Sequence, residues 1–127
     1  MKIKEMTKAE EQIMQIIWKL DKCFVNDIIA QLPEPKPAYT TVSTIVRILE
    51  KKGFVDHKAF GNTHEYYALI TKEKYTKEYL KGFLKGYFSN SYSNMVSFFS
   101  RNEDLDVKEM EEIMQILEIE IKNKKRG

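Results

Sequence analysis

The feature that most constrains this chain is its proline distribution, because all three prolines lie within positions 33–37. Each proline ring fixes its own φ angle and disfavours helix in the residue before it. Pro33, Pro35 and Pro37 therefore predict a stiff, extended connector, which ends one helix and fixes how the next element is presented.

Two amphipathic helices are predicted before this connector. Thr7 and Glu10 have the spacing of a capping box, in which each side chain accepts a hydrogen bond from the other residue's backbone N–H, so a helix should begin there. The apolar stripe of this helix consists of Ala9, Ile13, Ile16, Ile17 and Leu20. A second, shorter stripe consists of Val25, Ile28, Ile29 and Leu32, and it must stop before the prolines.

Residues 39–52 predict a third helix with two different faces, followed by Gly53 as its C-terminal cap. The buried side consists of Val42, Ile45, Val46 and Leu49, and the opposite side of Thr40, Ser43, Thr44, Arg47 and Lys51. Threonine is a poor helix former, but its hydroxyl can bond phosphates and base edges, and arginine can fork onto guanine O6 and N7. Alternatively, Thr40 and Thr41 only cap the helix and the remaining residues form an ordinary solvated face. This helix alone does not decide between the two.

The next segment favours DNA binding. Residues 54–60 and 63–69 are two β-prone runs separated by Gly61 and Asn62, which predicts a hairpin. Three helices and a hairpin make a winged helix-turn-helix over residues 1–70, with the third helix in the major groove and the hairpin near the DNA backbone. The predicted DNA-binding residues are Tyr39, Thr40, Thr41, Ser43, Thr44, Arg47, Lys51, Lys58, Asn62 and His64.

Residues 71–127 predict a helical region that holds two copies together. Thr71 can cap an aromatic helix that runs to Phe88, a short apolar helix follows Ser91, and residues 107–124 carry the apolar spacing of a coiled-coil seam. So much apolar surface favours a homodimer, although packing onto the winged domain of the same chain is an alternative. The predicted dimerisation residues are Tyr79, Phe83, Tyr87, Phe88, Met95, Phe98, Phe99, Met110, Ile113, Met114, Leu117 and Ile121.

Several classes of function are disfavoured. No run of about 20 apolar residues is present and the first residues lack a signal-peptide core, so we expect a cytoplasmic protein without membrane insertion. A lone Cys23 excludes an internal disulfide and is expected to be a small buried hydrophobe. His57 and His64 lack a third ligand, and no nucleophile with a partnered base stands out. We therefore predict no metal site, no cofactor and no enzymatic activity.

The chain resembles the penicillinase-repressor (BlaI/MecI/CopY) family over nearly its whole length. The resemblance rests on residues 7–18, 39–45 and 49–53 and on Glu111-Glu112-Ile113 in the last helix. It implies a mainly α protein with a β-hairpin wing that acts as a homodimeric transcriptional repressor. Because a two-fold dimer presents two recognition helices, the expected target is double-stranded operator DNA with an inverted repeat.

The resemblance also implies a switch, because the penicillinase branch is released when a membrane sensor-protease triggers cleavage in the C-terminal helical region. In the family the cut lies at an Asn-Phe bond, and here Phe98 stands in place of that Asn, so that the bond would be Phe98-Phe99. This departure puts the cleavage in doubt for this chain. The tail also lacks the cysteine cluster of the copper branch, which disfavours direct metal sensing.

Two other functions remain compatible with the sequence. A winged helix can serve as a protein-interaction module, since fold alone does not determine function. The aromatic C-terminal half could instead enclose a small ligand. Arg47→Ala separates the first alternative from DNA binding, because only a DNA reader should lose sequence-dependent affinity, and ligand-dependent thermal shifts test the second.

Overall fold

The structure is a computed structural model that describes residues 5–102 and 104–127. Within these residues the elements are α1 (Lys8–Leu20), β1 (Lys22–Cys23), α2 (Val25–Gln31), α3 (Tyr39–Lys51), β2 (Val55–Phe60), β3 (Thr63–Ala68), α4 (Lys72–Phe88), α5 (Tyr92–Arg101) and α6 (Val107–Arg126). Two compact units are present: the first ends at Tyr79 and the second comprises Leu80–Gly127. In the described part of the chain, no helix is both long and apolar enough to cross a membrane.

The first unit is the predicted winged helix, in which α1, α2 and α3 pack with a small antiparallel sheet. Its core contains Ile13, Met14, Ile17, Cys23, Val25, Ile28, Leu32, Val42, Val46, Leu49, Phe54, Val55, Tyr66 and Tyr75. The start of α4 belongs to this unit, because the Tyr75 ring lies 5.8 Å from that of Trp18 and 5.7 Å from that of Phe54. The sequence boundary was placed after residue 70, and the contacts of the chain group residues up to Tyr79 with the winged helix.

The start of α1 follows the predicted capping box. The Thr7 hydroxyl accepts from the Glu10 N–H and the Glu10 carboxylate accepts from the Thr7 N–H, both at 3.2 Å. The predicted apolar stripe is wrong at two positions, because it includes Ala9, which is exposed, and omits Met14, which is fully buried. At about 100° per residue, position 17 lies between positions 13 and 14, so all three share one face, and the long flexible Met14 side chain at the edge of that face fills the core.

The wing is a hairpin of β2 and β3 in which Phe60 pairs with Thr63. Gly61 adopts a φ of +61°, which suits a residue without a Cβ atom at this turn. The sheet has a third strand that the sequence analysis missed, because β1 pairs with β3 through Lys22 and Cys23. A strand of two residues carries no periodicity and exists only through this pairing.

The second unit contains the end of α4 together with α5 and α6. Ser89 and Asn90 have positive φ angles of 50° and 62°, and they end α4 where the sequence predicted a break. The Phe88 ring contacts Phe83 at 5.6 Å and Phe98 at 5.7 Å, so predicted dimerisation residues pack on one another inside the unit. On α6 no described residue is buried. Its large exposed hydrophobic residues are Val107, Met114, Ile116, Leu117, Ile119 and Ile121.

Candidate nucleic-acid interface

Helix α3 has a buried face that fixes it in the winged helix. Val42, Val46 and Leu49 are each 1% exposed or less. Ile45, which was predicted on the same side, is only half-buried at its edge. The helix ends as the sequence predicted, because Gly53 follows its last turn with a φ of +89°.

The opposite face of α3 is polar and accessible. Thr40, Thr44, Arg47 and Lys51 are exposed, and Ser43 is half-buried. The Thr44 hydroxyl donates to the Thr40 carbonyl at 2.8 Å, which leaves its oxygen lone pairs to accept from a ligand. Arg47 donates its Nε–H to the Ser43 carbonyl at 3.4 Å, and a guanidinium group also carries terminal NH₂ donors that can make a forked contact.

The N-terminus of α3 is not capped by a side chain. Ala38 is the N-cap residue, and neither Thr40 nor Thr41 caps the helix. The capping interpretation of these threonines is therefore wrong. No acidic residue lies in the first turn, so the positive end of the helix dipole is not neutralised there and can attract a phosphate.

The structure separates Thr41 from the other predicted contact residues. Thr41 lines a cavity of about 200 Å³ between α1, the proline connector and α3, together with Pro35, Pro37 and Ile45. Tyr39, the first residue of the helix, is 48% exposed. The hydroxyls and cations therefore divide into an outer group of Thr40, Thr44, Arg47 and Lys51, and a lateral Thr41.

The proline connector is held against α2 by Lys36. Its ammonium group donates to the Ile29 carbonyl at 3.1 Å, the Ala30 carbonyl at 3.1 Å and the Leu32 carbonyl at 2.8 Å. These carbonyls belong to the C-terminal end of α2, which carries the negative end of the helix dipole. One cation thus stabilises the end of α2 and fixes the path of the chain into α3.

The predicted DNA-binding residues of the wing lie in its turn and in the adjoining strands. Lys58, Asn62 and His64 are all exposed. The Lys58 ammonium lies 5.3 Å from the centre of the Phe60 ring, and that ring makes an edge contact with Phe24 at 5.9 Å. The wing is thereby attached to the start of α2 through an aromatic pair.

Two histidines connect the wing to α3. The Nδ1 atom of His57 on β2 lies 2.7 Å from a carboxylate oxygen of Glu50 in the last turn of α3. His64 on β3 stacks on His57 with ring centres 4.0 Å apart and an interplanar angle of 10°. His64 was predicted to approach DNA, and its ring is also part of this stack. Nearby, burial raises the pKa of the Tyr66 phenol, and the Glu50 charge adds to the rise.

Two exposed apolar residues, one on α3 and one on the wing, were not among the DNA-binding residues predicted from the sequence. Ile48 is 39% exposed and lies one turn beyond Thr44 on α3, while Phe60 is 46% exposed on the wing. The signal for Ile48 was the helical period, which puts positions 40, 44 and 48 in one row. An aliphatic side chain in that row can contact a thymine methyl group.

Cys23 is buried, which confirms the prediction that it is a small core residue. It is 1% exposed, and burial together with the charges of Asp27 and Glu65 raises the pKa of its thiol to about 11. The sulfur is therefore protonated at neutral pH and is a poor nucleophile or metal ligand.

The winged fold and the polar outer face of α3 define a DNA-binding protein of the winged-helix class. A solved structure agrees with this class: the solution structure of the DNA-binding domain of the repressor BlaI has a TM-score of 0.50 and 30% sequence identity, covering 59% of this chain and 94% of that one. The sequence profile of the family described as "Penicillinase repressor" matches residues 6–119. The chain therefore belongs to the penicillinase repressor family, a family of transcriptional repressors and not of enzymes.

Two relatives that match over nearly their whole length support the same assignment. The chain is 31% identical over 126 residues to a penicillinase repressor of Bacillus licheniformis, covering 98% of each protein. It is also 31% identical over 114 residues to the methicillin resistance regulatory protein MecI of Staphylococcus aureus strain N315, covering 89% of this chain and 93% of MecI. The similarity thus extends through both compact units.

Proposed function

We propose that this chain is a homodimeric repressor that binds an inverted-repeat operator with α3 in the major groove. The observation that carries the proposal is the outer face of α3, where exposed hydroxyls and two cations follow a helix start that no side chain caps. Such a face supplies hydrogen-bond donors and acceptors and positive charge to a polyanion with readable base edges. The face has no role in the core, because the buried residues of α3 lie on its other side.

The residues of the outer face divide into those proposed to contact bases and those proposed to contact phosphates. Arg47 is the candidate for a forked contact with guanine, and Thr40, Thr44 and Ile48 form the row that can contact neighbouring bases. Lys51 in α3 contributes charge for phosphates. The wing residues Lys58, Asn62 and His64 and the helix-start residues Tyr39, Thr41 and Ser43 complete the proposed interface.

The second unit supports dimerisation. Met114, Leu117 and Ile121 on α6 are 51–59% exposed and continue the stripe that begins with the half-buried Met110 and Ile113. A solvated monomer would leave this stripe in water, whereas a second copy would bury it. The remaining proposed contacts are the aromatic residues of α4 and α5 together with Met95.

The charges of α6 favour an antiparallel pair of helices. Apart from Lys108, its acidic residues precede its basic ones: Glu109, Glu111, Glu112, Glu118 and Glu120 come first, followed by Lys122, Lys124, Lys125 and Arg126. In an antiparallel pair the acidic part of one helix lies beside the basic end of the other, whereas a parallel pair brings like charges together. We propose residues 1–70, with the first two turns of α4 packed on them, as the DNA-binding domain, and the rest of residues 71–127 as the dimerisation region.

Proteolysis in the C-terminal region is a consistent release mechanism. Cutting there would uncouple the two DNA-binding domains and lower the effective concentration of the second half-site contact. Phe98 and Phe99 lie inside α5, so a protease that cuts between them requires local unwinding of that helix. A membrane sensor-protease is the proposed partner for this step.

Fluorescence anisotropy tests DNA binding directly. Full-length protein is titrated into labelled DNA from its own upstream intergenic region and into scrambled DNA, at two salt concentrations. We expect preferential binding to the first DNA, and we expect Arg47→Ala to lose about 1–3 kcal/mol of that preference. Arg101→Ala is the matched control, because Arg101 is an exposed arginine at the end of α5.

Two outcomes contradict the proposal. Equal binding to both DNAs removes the specific-operator assignment for that region and favours a protein-interaction module. Equal losses in Arg47→Ala and Arg101→Ala show that charge alone is responsible, so that α3 does not read sequence.

A further inference from the structure

The fold brings three metal-ligating side chains together between α3 and the wing. Glu50 comes from the last turn of α3, and Asp56 and His57 come from the start of β2. One ligand atom from each lies within 4.8 Å of the other two. The sequence predicted no metal site because two histidines alone are too few ligands, whereas the fold places two carboxylates, from Glu50 and Asp56, beside His57.

The distances are close to those of a metal site. His57 Nδ1 lies 2.7 Å from Glu50 Oε2 and 4.0 Å from Asp56 Oδ1. Ligand bonds of about 2.0–2.2 Å in a tetrahedral site place neighbouring donor atoms about 3.3 Å apart. Side-chain rotations that lengthen the first distance by about 0.6 Å and shorten the second by about 0.7 Å would reach this spacing, provided that they also bring the Glu50 and Asp56 oxygens, which lie within 4.8 Å of each other, to a similar distance.

The surroundings suit a bound ion that keeps water ligands. The side chains of Glu50, His57 and Asp56 are 26%, 29% and 50% exposed, so an ion can enter without unfolding the site. The imidazole is already held in place, since its face stacks on His64 and Asp56 accepts the His57 backbone N–H at 2.8 Å. Such fixed ligand orientation raises metal affinity.

We propose that Glu50, Asp56 and His57 bind a divalent first-row transition ion and join the end of α3 to the wing. One imidazole nitrogen and two carboxylates suit Zn²⁺ or Co²⁺ better than the purely oxygen-ligated Mg²⁺ or Ca²⁺. On metal binding, His57 coordinates through Nδ1 and carries its proton on Nε2, so that the ion replaces the Glu50–His57 hydrogen bond. His64 is a positioning residue here and not a ligand.

Cobalt and zinc titrations of the full-length protein test the site without DNA. Co²⁺ gives a visible absorption when protein nitrogen and oxygen ligands replace its water, and calorimetry with Zn²⁺ gives the stoichiometry. We expect one ion per chain, and we expect Glu50→Gln and His57→Asn each to weaken binding at least about 10-fold. His64→Asn is the matched control, because it removes the other histidine and should still bind one ion.

Three results would overturn the proposal. The first is that the protein shows no saturable binding up to about 1 mM ion, a range that covers weak sites. The second is that Glu50→Gln and His57→Asn both bind the ion with unchanged affinity. The third is that His64→Asn loses the ion while His57→Asn retains it. Circular dichroism confirms that each variant is folded before it is titrated, and Glu50→Gln preserves the side-chain shape. Because these titrations contain no DNA, failure of the metal site is distinguishable from failure of operator binding.

Discussion

The ion pair between Glu10 and Lys52 joins the first turn of α1 to the end of α3, and it predicts an unequal response to removing either partner. The Lys52 ammonium lies 2.6 Å from the Glu10 carboxylate, and the two side chains are 26% and 8% exposed. Lys52 also donates to the Glu5 carbonyl at 3.0 Å. The carboxylate is therefore the more deeply buried charge, while the ammonium can reach water.

Lys52→Met should destabilise the first unit more than Glu10→Gln. Breaking a fully buried pair costs about 3–5 kcal/mol because one charge is left uncompensated, and partial exposure lowers that cost. Lys52→Met leaves the nearly buried Glu10 carboxylate without its cation, so we expect a loss of about 2–3 kcal/mol. Glu10→Gln keeps an oxygen that can accept the Thr7 N–H and leaves a quarter-exposed ammonium, so we expect about 1 kcal/mol.

The pH dependence gives a second, independent test. Burial disfavours the Glu10 carboxylate, but its hydrogen bonds with Lys52 and Thr7 and the Lys52 charge outweigh burial, so the pKa of Glu10 lies below its ordinary value of 4.5. A lowered folded-state pKa contributes stability above the unfolded-state pKa, and this stability is lost as pH falls through the folded-state value. Glu10→Gln should abolish this contribution. In Lys52→Met burial dominates, so protonation of Glu10 should lessen the destabilisation at low pH.

Urea unfolding measures these free energies. Trp18 is the sole tryptophan of the sequence and its indole donates to the Ile70 carbonyl at 2.9 Å, so its fluorescence reports on the first unit. The midpoints of wild type and both variants are compared at about pH 7 and about pH 4, on either side of the ordinary glutamate pKa. The reasoning would be refuted if Glu10→Gln lost as much free energy of unfolding at pH 7 as Lys52→Met, or more. It would also be refuted if the free energy of unfolding changed equally with pH in both variants.

Two further predictions concern the C-terminal helix and the proline connector. Leu117→Asp should dissociate the proposed dimer in sedimentation-velocity runs. Ile116→Asp is a matched control of similar exposure outside the stripe, and it should leave the proposed dimer intact. Equal effects of the two substitutions would contradict the proposed α6 seam. Lys36→Met should lower the free energy of unfolding of the first unit by about 1 kcal/mol, because three carbonyls at the end of α2 lose a shared cationic donor. Thermal denaturation checks this loss, which Lys36→Arg should partly restore, and an unchanged midpoint in Lys36→Met would show that the bonds contribute nothing.

Features that depend on neighbouring residues were predictable from the sequence. The Thr7–Glu10 capping box and the turn at Gly61 involve residues close in sequence, so residue type and spacing were sufficient. The polar face of α3 also followed from the helical period. The family and the winged-helix fold agree with these patterns.

Features that depend on distant pairings were not predictable. Strand β1 exists because Lys22 and Cys23 meet β3, about 45 residues later in the chain, and its own residues give no strand signal. Lys36 resembles an ordinary surface lysine until α2 and the connector place three carbonyls around it. Likewise, Glu50 is one of many acidic residues in the sequence, and only the turn after α3 brings it to His57.

The contacts that hold helix α3 in the winged helix do not involve its outer face. Its inner face is buried, Lys36 fixes the connector before it, and the Lys52–Glu10 and Glu50–His57 pairs fix its end. Thr40 and Arg47 contribute nothing to these attachments, so their substitution should cost little stability. Under the proposed function, operator specificity can therefore change at these two positions while the winged helix stays intact.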